Sequence, residues 1–253
     1  MVLGSCGAYP EPGRASSGYV LEHDGFRLVL DLGYATLPRL LEVLGSTVAE
    51  RIDAVIVTHR HADHSIDLHG LFRARWLGPR GALPVLPLYS PPGVLDQIMA
   101  FEEDHAERVH AVFDWHPLPA SAYDVGPFRL ESWALPHFVP NAGIRLSSPG
   151  LTVAYTGDTG PDPALVELGR DADLYIMDSS DPQQQETSPD PSGMRLLLSA
   201  REAGLAAKAA GARRLLLTHF LPGNDRQQSR KAAAEVFTGE ILLASEGLQI
   251  PLP

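Results

Sequence analysis

The feature that most constrains this chain is a short apolar run that ends in a cluster of metal-competent side chains. Ile52 to Val57 is continuous, apolar and rich in branched residues, which predicts a strand buried on both faces. It runs directly into Thr58-His59-Arg60-His61-Ala62-Asp63-His64. Three imidazoles and a carboxylate within six residues are hard to explain by packing. Neutral imidazole nitrogen and carboxylate oxygen both bind Zn²⁺, at about 2.0–2.2 Å. A tight turn after the strand points His59 and His61 one way and Asp63 and His64 the other. One loop can then serve two cations about 3.5–4 Å apart.

Further donors follow strands elsewhere. Phe128 to Leu135 is strand-like and ends at Pro136-His137; Leu151 to Tyr155 ends at Thr156-Gly157-Asp158; Leu215 to Leu217 ends at Thr218-His219. Each donor alone is unremarkable, and Thr-Gly-Asp-Thr by itself is a turn pattern. Their joint occurrence at strand ends points to convergence. Strands are also predicted over Phe26 to Leu30, ending at Asp31-Leu32-Gly33, over Val85 to Tyr89, and over Leu174 to Met177, ending at Asp178-Ser179-Ser180. Helical spacing of Leu37, Leu40, Leu41 and Leu44, and of Ala203, Ala206, Ala207 and Ala210 before Gly211, marks two helices. Helices are further expected over Val94 to Val109, with an acidic face, and over Ser229 to Phe237. This alternation predicts a layered α/β domain with its site at one rim of the sheets. With 253 residues and no repeat or low-complexity linker, residues 1–253 read as a single domain. The polar segment Pro182 to Gly193 reads as a mobile loop beside the site.

Charge narrows the partner. The net charge is −11, and no basic run is longer than Arg213-Arg214, which disfavours nucleic acid. No apolar run approaches the roughly 20 residues that cross a bilayer, and the N-terminus lacks a signal-peptide pattern. A single cysteine, Cys6, excludes an internal disulfide and suits the cytoplasm.

The series His-x-His-x-Asp-His, then His137, Asp158 and His219, resembles the metallo-β-lactamase superfamily, within it the branch of ribonuclease Z and small phosphodiesterases. The likeness also takes in Gly4-Ser5-Cys6-Gly7, Ser17-Gly18-Tyr19-Val20, Leu30-Asp31-Leu32-Gly33 and Leu216-Leu217-Thr218-His219-Phe220. It implies a four-layer αβ/βα sandwich with two zinc ions at its edge; manganese or iron suit the same donors. His59, His61 and His137 would hold one ion, Asp63, His64 and His219 the other, and Asp158 would bridge them. Asp31 would brace the metal loop. A bridging water, its pKa lowered to about 7, would attack the substrate, with Asp63 as catalytic residue orienting or deprotonating it. Relatives are often dimers, which makes a homodimer the expectation.

Three departures from ribonuclease Z bear on the substrate. A histidine of a His-Ser-Thr-like stretch, which helps contact phosphate or protonate the leaving group, is replaced by Leu197. An acidic residue expected shortly before the bridging aspartate is Tyr155. Only twenty residues separate His137 from Asp158, too few for the arm that grips tRNA. These favour an anionic small-molecule substrate, a phosphodiester such as a cyclic nucleotide. The alternatives are a tRNA 3′-processing endonuclease, an ester, thioester or lactam hydrolase, and a ligand sensor. Tyr155 is either a strand residue or a hydrogen-bond donor to substrate. Asp178 and Ser179 either line the pocket or form a turn. Asn141 and Arg145 are candidates to contact an anion, Arg145 equally a strand-surface residue. His23, His69, His105, His110 and His116 are left outside the ligand set.

Overall fold

The computed structural model describes residues 1–78, 83–120, 122–183 and 193–253. The first half of the chain builds a sheet of β1 (Val2–Gly4), β2 (Gly18–His23), β3 (Phe26–Leu32), β4 (Ala54–Ile56), β5 (Leu86–Ser90) and β6 (Phe113–Pro117), side by side in chain order. Its helices are α1 (Thr36–Leu44), α2 (Ala62–Leu77), α3 (Val94–Phe101) and α4 (Ala106–Val112). The second half builds a sheet of β7 (Tyr123–Val125), β8 (Phe128–Leu135), β9 (Asn141–Ser148), β10 (Leu151–Tyr155), β11 (Leu174–Asp178), β12 (Arg214–Thr218) and β13 (Glu240–Leu243), in reverse spatial order from β13 to β7. Its helices are α5 (Ala164–Leu168), α6 (Ala200–Ala210) and α7 (Arg226–Ala234).

Strand alternation sorts the early apolar residues into two cores. Leu28 and Leu30 of β3 and Ala54 and Ile56 of β4 meet Leu130, Ile144, Val153 and Tyr155 of the second sheet. Val29 and Val55 point the other way, onto Leu40, Leu68, Leu71, Phe72, Val94 and Val109 of α1 to α4. Burial on both faces explains the unbroken apolar run before His59. On the far side, α5 to α7 cover the second sheet through residues such as Leu168, Ala207 and Ala233. The result is the four-layer αβ/βα sandwich. Among the described residues no helix is long and apolar enough to cross a membrane.

Strand direction sets the rim. β3, β4 and β5 are parallel, and so are β10, β11 and β12. β8 is antiparallel to β9, and β9 to β10, so β8 runs with β10. The carboxyl ends of parallel strands share one edge of a sheet. Asp31 lies at the end of β3, and Thr58 follows β4. His137, Asp158, Asp178 and His219 follow or end β8, β10, β11 and β12.

Three expectations change, and a fourth is not tested. The helix expected over Val94 to Val109 breaks after Phe101, passes through a 3-10 turn at Glu103–His105 and resumes as α4. At the break Glu102 is non-helical (φ −114°, ψ 46°), and its buried carboxylate accepts from His69 and Arg73 of α2. The last helix starts earlier than Ser229, because the Asp225 side chain caps it by accepting from Gln227 N. The tight turn expected through the histidine cluster is instead the start of α2: His61 is its N-cap, and Asp63 and His64 sit in its first turn. The segment read as a mobile loop, Pro182 to Gly193, falls with 184–192 outside the described residues.

Candidate metal centre

The geometry of α2 places its ligand-type residues. His61, with extended backbone (φ −62°, ψ 146°), precedes the helix and leaves its imidazole half-buried. Asp63 in the first turn suits the positive end of the helix dipole. His64 begins the buried stripe that continues through Leu68, Leu71 and Phe72. Two further side chains depend on a left-handed backbone that non-glycine residues rarely adopt: Asp31 (φ 57°) and His219 (φ 57°). Such strain costs of order 1–3 kcal/mol each and concentrates at functional sites. Two glycines admit close approach. A Cβ at Gly33 would lie 1.9 Å from the Asp63 carbonyl oxygen, and one at Gly7 would lie 2.6 Å from Cε1 of His219.

The seven residues read as ligands come together in two overlapping groups: His59, His61, His137 and Asp158, and Asp63, His64, Asp158 and His219. Within each group the donor atoms lie within 4.8 Å of one another. In the first, His61 Nδ1 is 3.1 Å from His59 Nε2 and 3.0 Å from His137 Nε2, and Asp158 Oδ2 is 3.7 Å from each of those Nε2 atoms. In the second, His219 Nε2 is 3.0 Å from Asp158 Oδ2 and 3.3 Å from Asp63 Oδ2, and His64 Nε2 is 3.1 Å from Asp158 Oδ1.

The remote ring nitrogens are also placed. His64 Nδ1 donates to Asp31 Oδ2 at 2.7 Å, His137 Nδ1 to the Leu196 carbonyl at 3.0 Å, and His219 Nδ1 to Ser180 Oγ at 3.0 Å. Thr58 Oγ1 donates to Asp31 Oδ2 at 2.9 Å, so it can accept from His59 Nδ1 at 3.1 Å. These acceptors hold the remote N–H and aim four Nε2 atoms inward, each a lone-pair donor once any proton it carries is displaced, the arrangement by which outer contacts orient metal-ligating histidines. His61 is reversed: its Nδ1 faces inward.

The donor set fits a pair of cations. His59 Nε2 and His137 Nε2 both lie within 3.1 Å of His61 Nδ1, and one proton on His61 can relieve the lone-pair repulsion with only one of them at a time. His64 Nε2 and Asp158 Oδ1 are buried without a hydrogen bond, although 3.1 Å apart. Asp31, Asp63, Asp158 and Asp178 are buried, and none pairs with Lys or Arg among the described residues. Buried carboxylates of this kind need compensating positive charge. For Asp63 and Asp158, burial opposes ionisation, but the neighbouring His64 and His219 outweigh it and hold both carboxyls well below the usual range. For His59, burial and then the charge of His64 push the imidazole well below its ordinary value, which favours the neutral ligand form.

The other nominated residues serve this group from outside. Asp31 accepts from Thr58 N at 2.7 Å, from His64, and from the Tyr155 hydroxyl at 2.7 Å. Tyr155 is buried and therefore not in reach of substrate. Asp178 accepts from Ser180 Oγ at 2.7 Å and stands 3.3 Å from His219 Nδ1, which makes it a support for the last histidine rather than a pocket wall. Ser179 donates to the Thr218 carbonyl at 2.7 Å. Asn141, nominated for anion contact, instead donates to the carbonyls of Thr156 and Asp158. Arg145 is spent on the carbonyls of Leu168 and Arg170. His69 pairs with Glu102, and His116 stacks on Tyr89.

Several contacts had no sequence signal. Ala8 N donates to Asp63 Oδ2 at 2.7 Å, and Leu196 supplies its carbonyl to His137. Both act through backbone, which leaves no mark on the side-chain pattern of the sequence. Tyr19, which hydrogen-bonds Thr218 beside His219, entered only as part of Ser17-Gly18-Tyr19-Val20 in the family likeness.

The comparisons agree with this geometry. The profile described as Beta-lactamase superfamily domain matches residues 31–220, from Asp31 to just past His219. The probable metallo-hydrolase YhfI of Bacillus subtilis is 31% identical over 249 residues, which cover 97% of this chain and 96% of that protein. Its crystal structure overlays with a TM-score of 0.84 at 30% identity, covering 98% of this chain and 97% of YhfI. Ribonuclease Z of Kineococcus radiotolerans is 30% identical over 265 residues, covering 87% of this chain and 82% of that protein. Human tRNase Z, short form, overlays with a TM-score of 0.76 at 26% identity, covering 100% and 98%. With the family profile spanning both ligand groups and a full-length relative named as a metallo-hydrolase, the chain belongs to the beta-lactamase superfamily and is a metal-dependent hydrolase.

Proposed function

We propose that the chain is a two-cation hydrolase of small phosphodiesters, a cyclic nucleotide being the leading substrate. The observation that carries it is the pair of four-residue groups that share Asp158. His59, His61, His137 and Asp158 would hold one cation, and Asp63, His64, Asp158 and His219 the other, with zinc the cation proposed. When bound, the pair supplies Lewis acidity that activates water near neutral pH and offsets charge on the phosphoryl oxygens. Asp63, held ionised, is a weak base, so its part is to ligate and to accept a hydrogen bond that orients the attacking water. His61 and His137 are the two histidines of the set that are not fully buried, so substrate enters on their side. Phe138, 58% exposed with its ring 5.3 Å from that of His137, offers a flat apolar face to a nucleobase. Base stacking on such a ring is worth about 1–3 kcal/mol.

The interval between His137 and Asp158 supports a small substrate over tRNA. It folds as β9, the turn at Pro149-Gly150 and β10, which leaves no protruding arm. A tRNA-processing reading is favoured by the likeness to ribonuclease Z and human tRNase Z, and by no feature of the site. Purified enzyme should carry two equivalents of transition metal, lose activity on chelation and regain it with Zn²⁺ or Mn²⁺. Assayed against cyclic nucleotides, bis(p-nitrophenyl) phosphate, precursor tRNA, esters, thioesters and lactams, it should favour the cyclic nucleotides. Phe138→Ala should raise KM for the nucleotide and leave bis(p-nitrophenyl) phosphate turnover unchanged. Cleavage of precursor tRNA alone, or full activity in His61→Ala, would refute the proposal.

A further inference from the structure

Two buried tyrosines cross the interior of the sandwich in opposite directions. Tyr155 leaves β10 of the second sheet and donates to Asp31 of the first, at 2.7 Å. Tyr19 leaves β2 of the first sheet and shares a hydrogen bond with Thr218 Oγ1 of the second. Where they pass, the rings meet edge to face, with centroids 5.2 Å apart and planes at 67°. Both phenols are buried, as are Asp31 and Thr218. Each arm ends beside a member of the same ligand group. Asp31 accepts from His64 Nδ1 at 2.7 Å, and Thr218 directly precedes His219, whose backbone is in the left-handed region. The other group is reached less directly: His59 leans on Thr58, which Asp31 also holds, and His137 leans on the Leu196 carbonyl.

We propose that Tyr19 and Tyr155 are positioning residues that fix the separation of His64 from His219, and so tune the cation held by Asp63, His64, Asp158 and His219 in preference to its neighbour. The proposal rests on the two-cation reading above. The physical reason is that these donors come from opposite sheets. Asp63 and His64 belong to α2, between β4 and β5, while Asp158 and His219 follow β10 and β12. Apolar packing between sheets is non-directional and tolerates small slides, whereas a hydrogen bond weakens steeply once its distance or angle is lost. Two such bonds running in opposite senses and locked by an edge-to-face contact resist sliding both ways.

The test is a titration of metal-stripped protein with Co²⁺, read by its visible absorption, followed by competition with Zn²⁺. Wild type should show two classes of site. His61→Ala identifies the class belonging to the second group, because it disables the first. In Tyr155→Phe, and in Thr218→Val, which keeps the strand shape and removes the hydroxyl partner of Tyr19, that class should weaken 10- to 100-fold, about the range for outer contacts of metal ligands. The other class, linked to Asp31 only through Thr58, should weaken less. Tyr175→Phe is the control for loss of a buried phenol, since Tyr175 donates to the Leu165 carbonyl, away from the site. It should leave both classes unchanged even if it lowers Tm. The inference is overturned if Tyr155→Phe and Thr218→Val leave both classes at wild-type affinity, or weaken both equally. A wild type that holds a single equivalent overturns the two-cation reading instead.

Discussion

Gly7→Ala should cripple the site without touching a ligand. The backbone φ of Gly7 lies outside the left-handed range, so alanine meets no conformational penalty there. What it meets is the His219 ring: the added methyl would lie 2.6 Å from Cε1 and 2.8 Å from both nitrogens. Ordinary contact begins near 3.4 Å, so ring and loop must part by 0.8 Å. The ring has little room to yield, since it is 3% exposed and its Nδ1 is held by Ser180 and Asp178. Metal–ligand distances tolerate about 0.2 Å. The displacement is several times that, and the cation shared by Asp63, His64, Asp158 and His219 should be lost or badly weakened. Misplacement on this scale costs on the order of 10²-fold in rate, and overpacking should cost about 1–3 kcal/mol of stability. Metal content by mass spectrometry and kcat/KM on bis(p-nitrophenyl) phosphate read the two effects apart. A folded Gly7→Ala protein with two equivalents of metal and wild-type kcat/KM would refute the reasoning.

Two further outcomes follow from the strand-to-helix segment around residues 195–202. For Glu202, partial burial opposes ionisation, but Arg195 and the Ser199 cap outweigh it and hold the carboxyl below its ordinary range. A depressed folded pKa means stability present above the unfolded value, about 4.3, and lost as pH falls through the folded value. Glu202→Gln should therefore lower Tm at pH 7, and the gap to wild type should close as the pH is taken below about 4. A gap independent of pH would show that the ion pair is not its source. Leu197→His restores a proton donor one residue beyond the carbonyl that orients His137. It should accelerate hydrolysis of unactivated phosphodiesters, up to about 10²-fold where proton transfer limits, and leave nitrophenyl substrates unaffected. Equal acceleration of both classes would rule out leaving-group protonation.

The ligand-type residues were legible in the sequence because each sits where a periodic apolar segment ends. A strand buried on both faces must be continuous and apolar, so the change to polar residues at Thr58, Thr156 and Thr218 marks the rim. The helix that carries Asp63 and His64 was not legible. Its first turn spends its polar side chains on the site, and its buried stripe begins with a histidine in place of a leucine. Likewise the break at Glu102 is set by Arg73 and His69, 29 and 33 residues earlier in the chain.

What the sequence by itself determined, then, is composition at the rim: the number and kinds of donors, their order, and the strands that deliver them. Tertiary structure decided which donor atoms lie within reach of one another, which ring nitrogen faces inward, and that Tyr155, Asn141 and Asp178 bond to protein groups around the two clusters. The reason is range. Donor chemistry and strand periodicity are local properties of a few consecutive residues. The contacts that orient the donors, from Ala8 to Asp63, from Leu196 to His137 and from Tyr155 to Asp31, join segments that only the packing of two sheets brings together.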